Sequence, residues 1–372
     1  MSMQNSPALE RSIDLDLAEQ VLSPEGVRVA NPALDRYLAD VSAEQLRGLW
    51  RDMRIVRRID AEGVALQRQG QLGLWAPCRG QEAAQLGTAR ALRDTDFIFP
   101  SYREHGVLYA RGGAPGDYSR VWRGEEGVAY DPAMLHLAPM QIIIGAQSLH
   151  STGYAVGIRK DGGDEVAVTY FGDGATSQGD VNEAMVFAAS YQAPVVFVCQ
   201  NNHWAISEPV SVQTTHPIAG RAPGFGIPSM RVDGNDVLAC FAAMRWAAEH
   251  ARSGKGPVFL EVVTYRMGPH TTADDPTRYR NPDEVAAWEQ RDPIARVEAY
   301  LRAQGELTDE HIAEADAAAD TAAAELRAAC IGMVTREPLA VFDGVYAEPH
   351  TGLRRQREEY AAYLASLEEV AS

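Results

Sequence analysis

Two apolar segments in the middle of the chain end in two different kinds of turn. "EVAVTYF" (165–171) is short and rich in β-branched and aromatic residues, the composition of a strand buried on both faces, and it runs into Gly172-Asp173-Gly174. "PVVFVCQ" (194–200) reads as a second such strand and runs into Asn201-Asn202. Between them Asp180, with Glu183 three residues on, opens a helix that continues to about Tyr191. Strand, helix and returning strand within about 30 residues make a βαβ unit, whose two strands must run parallel. Their C-terminal ends then share one edge of a sheet. Asp173 and Asn202, 202 − 173 = 29 positions apart, are thereby brought to the same edge.

The flanking sequence continues the alternation. "SMRVDG" (229–234) reads as a third, short strand, "VLACFAAMRWAAEHARSG" (237–254) as a helix closed by Gly254, and "PVFLEVVTYR" (257–266) as a fourth strand. Strands alternating with helices predict an α/β fold with a mostly parallel sheet carrying helices on both faces. Upstream, Leu46, Leu49, Met53, Val56, Ile59, Val64 and Leu66 recur mostly at helical spacing across 42–69, and Ser42-Ala43-Glu44-Gln45 has the form of a capping box. Residues 70–141 read as a loop-rich section. Residues 1–40 lack periodicity and read as an N-terminal arm. Residues 41–330 read as the main domain, helical and Ala/Glu-rich from about 282, and residues 331–372 as a C-terminal extension ending in the helix "REEYAAYLASLEEV".

Composition narrows the function classes. A hydrophobic share of 46% and a charged share of 23% are ordinary for a globular chain, and a net charge of −17 argues against nucleic-acid partners. No apolar run approaches the roughly 20 residues that span a bilayer, so no membrane partner is expected. The first twenty residues are acidic and lack a basic stretch followed by an apolar one, so they do not read as a secretory signal. Cys78, Cys199, Cys240 and Cys330 are scattered without a CxxC, which implies neither a zinc site nor a disulfide framework and fits a cytoplasmic location.

Ligands of open α/β sheets bind at the carboxyl edge of the strands. Gly172 and Gly174 permit a sharp turn and close backbone approach. A lone carboxylate with an amide oxygen suits Mg²⁺, which prefers few protein ligands and completes its octahedron with phosphate oxygens and water. The physical reading is a Mg²⁺–diphosphate site; on the residues alone, plain turn chemistry fits Gly-Asp-Gly and Asn-Asn equally well. Neither GxxxxGK[ST] nor a GxGxxG after a strand is present, which disfavours a P-loop NTPase or a nicotinamide dehydrogenase.

The run GDGATSQGDVNEA followed by QNNHWAIS resembles the thiamin-diphosphate signature of the E1 α subunits of 2-oxo acid dehydrogenase complexes, bacterial type. "GQEA" (80–83), "SYREHG" (101–106), "QIIIGAQ" (141–147) and "TYRMGPHTTADDPTRYR" (264–280) resemble other segments of that family, in the same order. The resemblance covers about residues 46–301. It implies a thiamin-diphosphate-binding fold. Asp173 and Asn202 would bind Mg²⁺ through side-chain oxygens and Trp204 through its carbonyl. Tyr102, Arg103 and Arg266 would reach the diphosphate, with Gly172 shaping the turn and Gly174 and Ala175 offering backbone N–H groups. Ile142 and Ile144 would lie against the aminopyrimidine. His270 would sit beside the reacting carbon, with His105 a second catalytic candidate.

The same resemblance implies oxidative decarboxylation of a 2-oxo acid, with the acyl group passed to a lipoyl-bearing E2 component. Thiamin-diphosphate enzymes need two α/β domains and this chain offers one, so a separate E1 β subunit in an α₂β₂ assembly is expected. Some positions depart from the family pattern. Trp204 replaces the usual tyrosine, Gln200 stands where branched-chain members often carry arginine, and Ala76 and Pro269 stand where some members place histidines. "QIIIGAQ" and "GDGATSQGD" lean to pyruvate, with branched-chain 2-oxo acids a close second. A transketolase-like half enzyme and a non-catalytic binding protein are the competing classes. The polar loop "TTADDPTRYR" (271–280) is expected to be mobile without cofactor and ordered by it.

Overall fold

The computed structural model describes residues 18–117, 119–125, 130–334 and 336–371. Residues 1–17 of the expected arm lie outside the described residues. The chain up to Ile331 forms one compact unit, and Gly332 onward forms a second.

The first unit is built on five parallel strands: β1 (Phe97–Phe99), β2 (Ala167–Gly172), β3 (Val195–Asn201), β4 (Ser229–Asp233) and β5 (Val258–Val263), in spatial order β1-β2-β3-β5-β4. The longer helices in chain order are α1 (Ala43–Arg68), α2 (Glu82–Arg90), α3 (His105–Ala110), α4 (Ala146–Asp161), α5 (Gly179–Ser190), α6 (Val237–His250), α7 (Pro282–Glu289), α8 (Pro293–Ala303), α9 (Asp309–Ile331) and, in the second unit, α10 (Thr351–Ala371). The expected α/β fold, with helices on both faces and a helical C-terminal part, is borne out.

The strands are apolar on both faces because both faces are covered. Val168, Tyr170, Val196, Val198 and Leu260 join a core with α1, α2 and α6, whereas the alternate residues Ala167, Phe171, Val195, Phe197, Cys199 and Phe259 join one with α4 and α5. This two-residue alternation between two apolar layers produces the unbroken apolar runs seen in the sequence. Register aligns the strand ends: Gly172 lies opposite Gln200, Asn201 opposite Val263, and Asp233 also opposite Val263.

The capping box is real. Ser42 Oγ accepts from the Gln45 N–H at 3.1 Å, and Gln45 Oε1 accepts from the Ser42 N–H at 2.9 Å. Within α1, Gly63 is required by packing rather than by backbone conformation. A Cβ there would sit 2.2 Å from the ring of Trp75.

The loop-rich reading of residues 70–141 is corrected, for that section holds α2, β1 and α3. Glu82 to Ala89 of α2 are all buried, so that helix has no polar face and no visible period. β1 has only three residues. Helix α4 was also not expected; its small residues, including Gly153 and Gly157, leave no apolar stripe.

The described part of the N-terminal arm lies on the β4 edge. Glu19 pairs with Val232 in parallel fashion, donating to Arg231 O at 2.8 Å and accepting from the Asp233 N–H at 3.0 Å. The N–H groups of Val21 and Leu22 donate to Asp236 Oδ2 at 2.8 and 2.7 Å, while Oδ1 of the same carboxylate caps α6 through Leu238 and Ala239. Buried Arg296 joins Leu22 O to the Asp233 carboxylate.

Gly63→Ala is expected to lower stability by about 1–3 kcal/mol, the range for overpacking a filled core. Denaturant midpoints of parent and variant check this; equal midpoints would show that Trp75 moves aside freely.

Candidate active site

Asp173 leaves the end of β2 and starts a tight 3₁₀ turn, Asp173–Ser177. Its side chain is buried, with 1% of its surface exposed. Burial pushes the carboxyl up to about 6, against the hydrogen bond from Gln213 and the nearby N–H of Asn202. Gln213 Nε2 donates to it at 3.0 Å. A carboxylate so placed gains from any cation that enters beside it. The turn lies hard against a two-residue hairpin, Trp204–Ala205 with Glu208–Pro209: a Cβ on Gly174 would meet the Ala205 Cβ at 2.8 Å.

The two asparagines after β3 have separate tasks. Asn201 ties the strand end to β5, donating to Glu261 Oε1 at 2.8 Å. Asn202 turns toward the edge, where its Oδ1 accepts from the Trp204 N–H at 3.2 Å and its Nδ2 donates to Gln81 Oε1 at 3.2 Å. His203 (φ 71°) and Ile206 (φ 57°) both adopt left-handed backbone on either side of Trp204-Ala205. Non-glycine residues take that conformation at a cost, and such strain gathers at functional sites.

The opposite wall is cationic. Arg266, just after β5, is fully buried and donates to Trp204 O at 3.1 Å, Ile206 O at 2.7 Å and Tyr279 Oη at 2.9 Å. Arg103 donates to Pro77 O at 2.6 Å and to His270 O at 2.9 Å. Among the described residues neither arginine forms an ion pair. Burial, then the charge of Arg103, brings Arg266 down to about 10.

His270 Nδ1 lies 3.2 Å from one Arg103 nitrogen and 3.4 Å from one of Arg266. Guanidinium groups only donate, so Nδ1 accepts and the ring proton sits on Nε2. Burial and then the two arginines hold the ring down to about 3, so it is neutral at physiological pH. The loop that follows is stitched by Asp274, which accepts from the His270 N–H at 2.8 Å and from Tyr279, and by Arg280, which donates to the carbonyls of Met267 and Gly268.

These segments enclose a cavity of about 430 Å³. Gly172, Asp173, Gly174, Ala175, Asn202, Trp204, Tyr102, Arg103, Ile142, Ile144 and His270 all line it. Arg266 stands just behind the wall and reaches it through Trp204 and His270. His105 does not line the cavity: it is stacked on Trp75 with ring centroids 4.4 Å apart and bonded through Nε2 to Ala76 O. Burial brings it down to about 4, and its place is in the packing behind the site.

Sequence reasoning missed three glutamines on the wall. Gln81, Gln147 and Gln200 each spend one end of the amide, on Asn202, Tyr170 O and Glu104 respectively, and leave Gln81 Nε2, Gln147 Oε1 and Gln200 Oε1 buried without a partner. Buried polar atoms without partners are rare, and at a cavity wall they point to a polar ligand or its water. Each lies in or beside a motif, Gln81 in "GQEA", Gln147 at the end of "QIIIGAQ" and Gln200 before Asn-Asn, but none was given a role.

The family model described as dehydrogenase E1 component matches residues 50–329. A 3-methyl-2-oxobutanoate dehydrogenase subunit alpha of Mycobacterium tuberculosis is 48% identical over 355 residues, 95% of this chain and 96% of that protein. A pyruvate dehydrogenase E1 component subunit alpha of Staphylococcus epidermidis is 41% identical over 347 residues, 92% of each chain. One of Staphylococcus aureus is 43% identical over 289 residues, 77% of each chain.

The depressed histidine has a consequence for acid stability. Between its ordinary 6.5 and about 3, His270 binds a proton in the unfolded chain but not in the folded one. Stability therefore falls as pH drops through that window. His270→Gln should reduce the loss between pH 7 and about 4.5, measured as denaturant midpoints, while His105 keeps part of it. An unchanged loss would show that His270 is protonated readily in the folded state.

Proposed function

The chain belongs to the dehydrogenase E1 component family, and from that premise we propose that it is the α subunit of a 2-oxo acid dehydrogenase that binds thiamin diphosphate and Mg²⁺ in the cavity at the strand ends. The observation that carries this reading is one juxtaposition. A buried carboxylate and amide oxygen, Asp173 and Asn202, face two buried arginines without ion pairs, Arg103 and Arg266, with a neutral histidine between them.

The residues fit the cofactor. Asp173, Asn202 and the Trp204 carbonyl form a hard-oxygen set suited to Mg²⁺. That carbonyl already accepts from Arg266, and its second lone pair remains for a cation. Gly174 lets the turn pack against Ala205, and the first N–H groups of that turn, including that of Ala175, are the donors a phosphate would take. Arg103, Tyr102 and Arg266 supply positive charge and donors for the diphosphate. Ile142 and Ile144, about half exposed, supply an apolar rest for a ring.

When bound, thiamin diphosphate supplies the nucleophilic carbon and the electron sink for loss of CO₂. His270 presents Nε2–H to the reacting oxygen. Burial is the larger cause of the neutral imidazole and the two arginines the lesser, so on neutralisation of Arg103 and Arg266 by a diphosphate His270 would recover the arginines' share of its basicity for proton exchange.

The partners follow from the family: among the described residues there is one parallel sheet, and the likeness to E1 α subunits supports a β subunit that brings the glutamate for the aminopyrimidine in an α₂β₂ assembly, with a lipoyl-bearing E2 as acceptor of the acyl group. For the substrate, higher similarity to the 3-methyl-2-oxobutanoate enzyme and the apolar wall residues Leu74 and Trp122 favour a branched-chain 2-oxo acid. Similarity to the staphylococcal enzymes supports pyruvate as the second reading. Methylene recognition amounts to only about 1–3 kcal/mol per group, so the preference is one of degree.

Co-expression with a β-type chain, with thiamin diphosphate, Mg²⁺ and an artificial electron acceptor, should give decarboxylation of 3-methyl-2-oxobutanoate in preference to pyruvate. The chain alone should give none. Asp173→Asn should lower turnover by more than about a hundredfold, since outer-shell ligand losses alone cost roughly 10–100-fold. Turnover by the chain alone, or by the variant at the parent rate, would refute the reading.

Adding thiamin diphosphate and Mg²⁺ should slow tryptic cleavage after Arg278, which is exposed in the loop following His270. Unchanged cleavage would count against ordering of that loop by the cofactor.

A further inference from the structure

We propose that Asp60, which does not line the cavity, is a positioning residue for the site: it sets the backbone of residues 75–80, and that backbone holds Arg103 and the His270 loop in one arrangement. The roles of Arg103 and His270 rest on the function proposed above; their coupling through Asp60 does not.

Asp60 lies on the inner side of α1 and is 3% exposed. Its Oδ1 accepts from Trp75 Nε1 at 2.9 Å and from the Cys78 N–H at 3.0 Å, and its Oδ2 accepts from the Arg79 N–H at 3.0 Å. Three donors of one six-residue loop thus converge on one buried carboxylate. Charge-assisted bonds of this kind are the strong ones.

The carbonyls of the same loop go to the segments that build the site. Trp75 O accepts from the Thr272 N–H at 2.9 Å, Pro77 O from Arg103 at 2.6 Å, Arg79 O from the Met267 N–H at 3.2 Å, and Gly80 O from Thr264 Oγ1 at 2.6 Å. The Trp75 N–H returns a bond to Thr272 Oγ1 at 3.0 Å. Loop 75–80 is therefore a template, with N–H groups tied to Asp60 and carbonyls tied to Arg103 and to both ends of the 266–272 segment. Arg103 then bonds His270 through both Nδ1 and O. A displacement of the template moves the arginine and the histidine together.

Asp60→Asn in the full chain tests this without any ligand. The amide keeps the size of the carboxylate, removes the charge and turns one acceptor into a donor facing an N–H. If Asp60 positions the site, the variant stays folded by circular dichroism. Amide exchange at Met267 and Thr272 then accelerates about tenfold or more, the factor for loss of roughly one hydrogen bond. The His270 ring, followed by NMR, titrates about one unit or more higher as Arg103 withdraws.

A folded variant with parent-like exchange at both residues and an unmoved histidine would overturn the proposal. If Asp60→Asn does not fold, Thr272→Val gives the test from the other side. It removes only the Oγ1 link to Trp75, and unchanged exchange at Thr272 together with an unmoved His270 would overturn the template idea equally. Titrating the parent chain with thiamin diphosphate and Mg²⁺ is a separate arm: failure there strikes the cofactor reading, and the exchange result still decides the coupling.

Discussion

Parallel pairing is the constraint on which the rest of this molecule depends. Antiparallel neighbours would send the turn after β2 and the turn after β3 to opposite edges. Parallel register instead puts Gly172 opposite Gln200 and Asn201 opposite Val263, so that Asp173, Asn202 and Arg266 all emerge within a residue or two of one line. The cost of parallel pairing is burial on both faces and a crossover between every pair of strands. The two cores above and below the sheet meet the first demand, and helices such as α5 meet the second. The cavity is a consequence of that topology rather than an addition to it.

Charge at this edge is arranged with a gap in it. Elsewhere in the chain arginines meet carboxylates, as buried Arg296 meets Asp233 and half-buried Arg57 meets buried Glu82. At the cavity Arg103 and Arg266 meet carbonyls and a histidine instead, while Asp173 sits across from them held by a glutamine. Burial, with two like cations close by, keeps the imidazole neutral, and those cations fix its tautomer. On the proposed reading a metal cation bound to a polyanion satisfies both walls at once, which neither ion alone does. Three half-satisfied glutamines around the same space fit a site completed by something polar.

What the sequence made legible follows from how each element earns its stability. β2, β3 and β5 are long enough and apolar enough to show, and α1 shows because one face is buried, one is wet and a capping box marks its start. α2 is buried all round, β1 has three residues, and α4 is made largely of small and polar residues, so none carries a period to read. The site residues at the strand ends were legible because the crossover length fixes their meeting. Arg103, Tyr102 and His270 were named only through family resemblance, since no local pattern tells an arginine bound for a cavity from one bound for the surface. His105 belongs to the same motif as Arg103, yet it does not line the cavity, because Arg103 lies in the loop before α3 and His105 opens the helix, stacked on Trp75. The glutamines lie in the motifs but showed no role there, because a glutamine matters here only through which end of its amide is already engaged.

The arm on the β4 edge bears on the order in which the chain assembles during synthesis. Residues 19–22 are made early, but their partners are Val232 and Asp236, more than two hundred residues later. Residues 19–22 therefore find their place only after β4 and α6 have been made. Until they do, the outer strand of the sheet has bare N–H and C=O groups along one side, and the Asp236 carboxylate caps α6 with half of its acceptors idle. In the finished unit the arm covers that rim, which would otherwise be open to pairing with a neighbouring molecule. Residues 19–22 thus act as a closing seam for a sheet whose strands are laid down long after them.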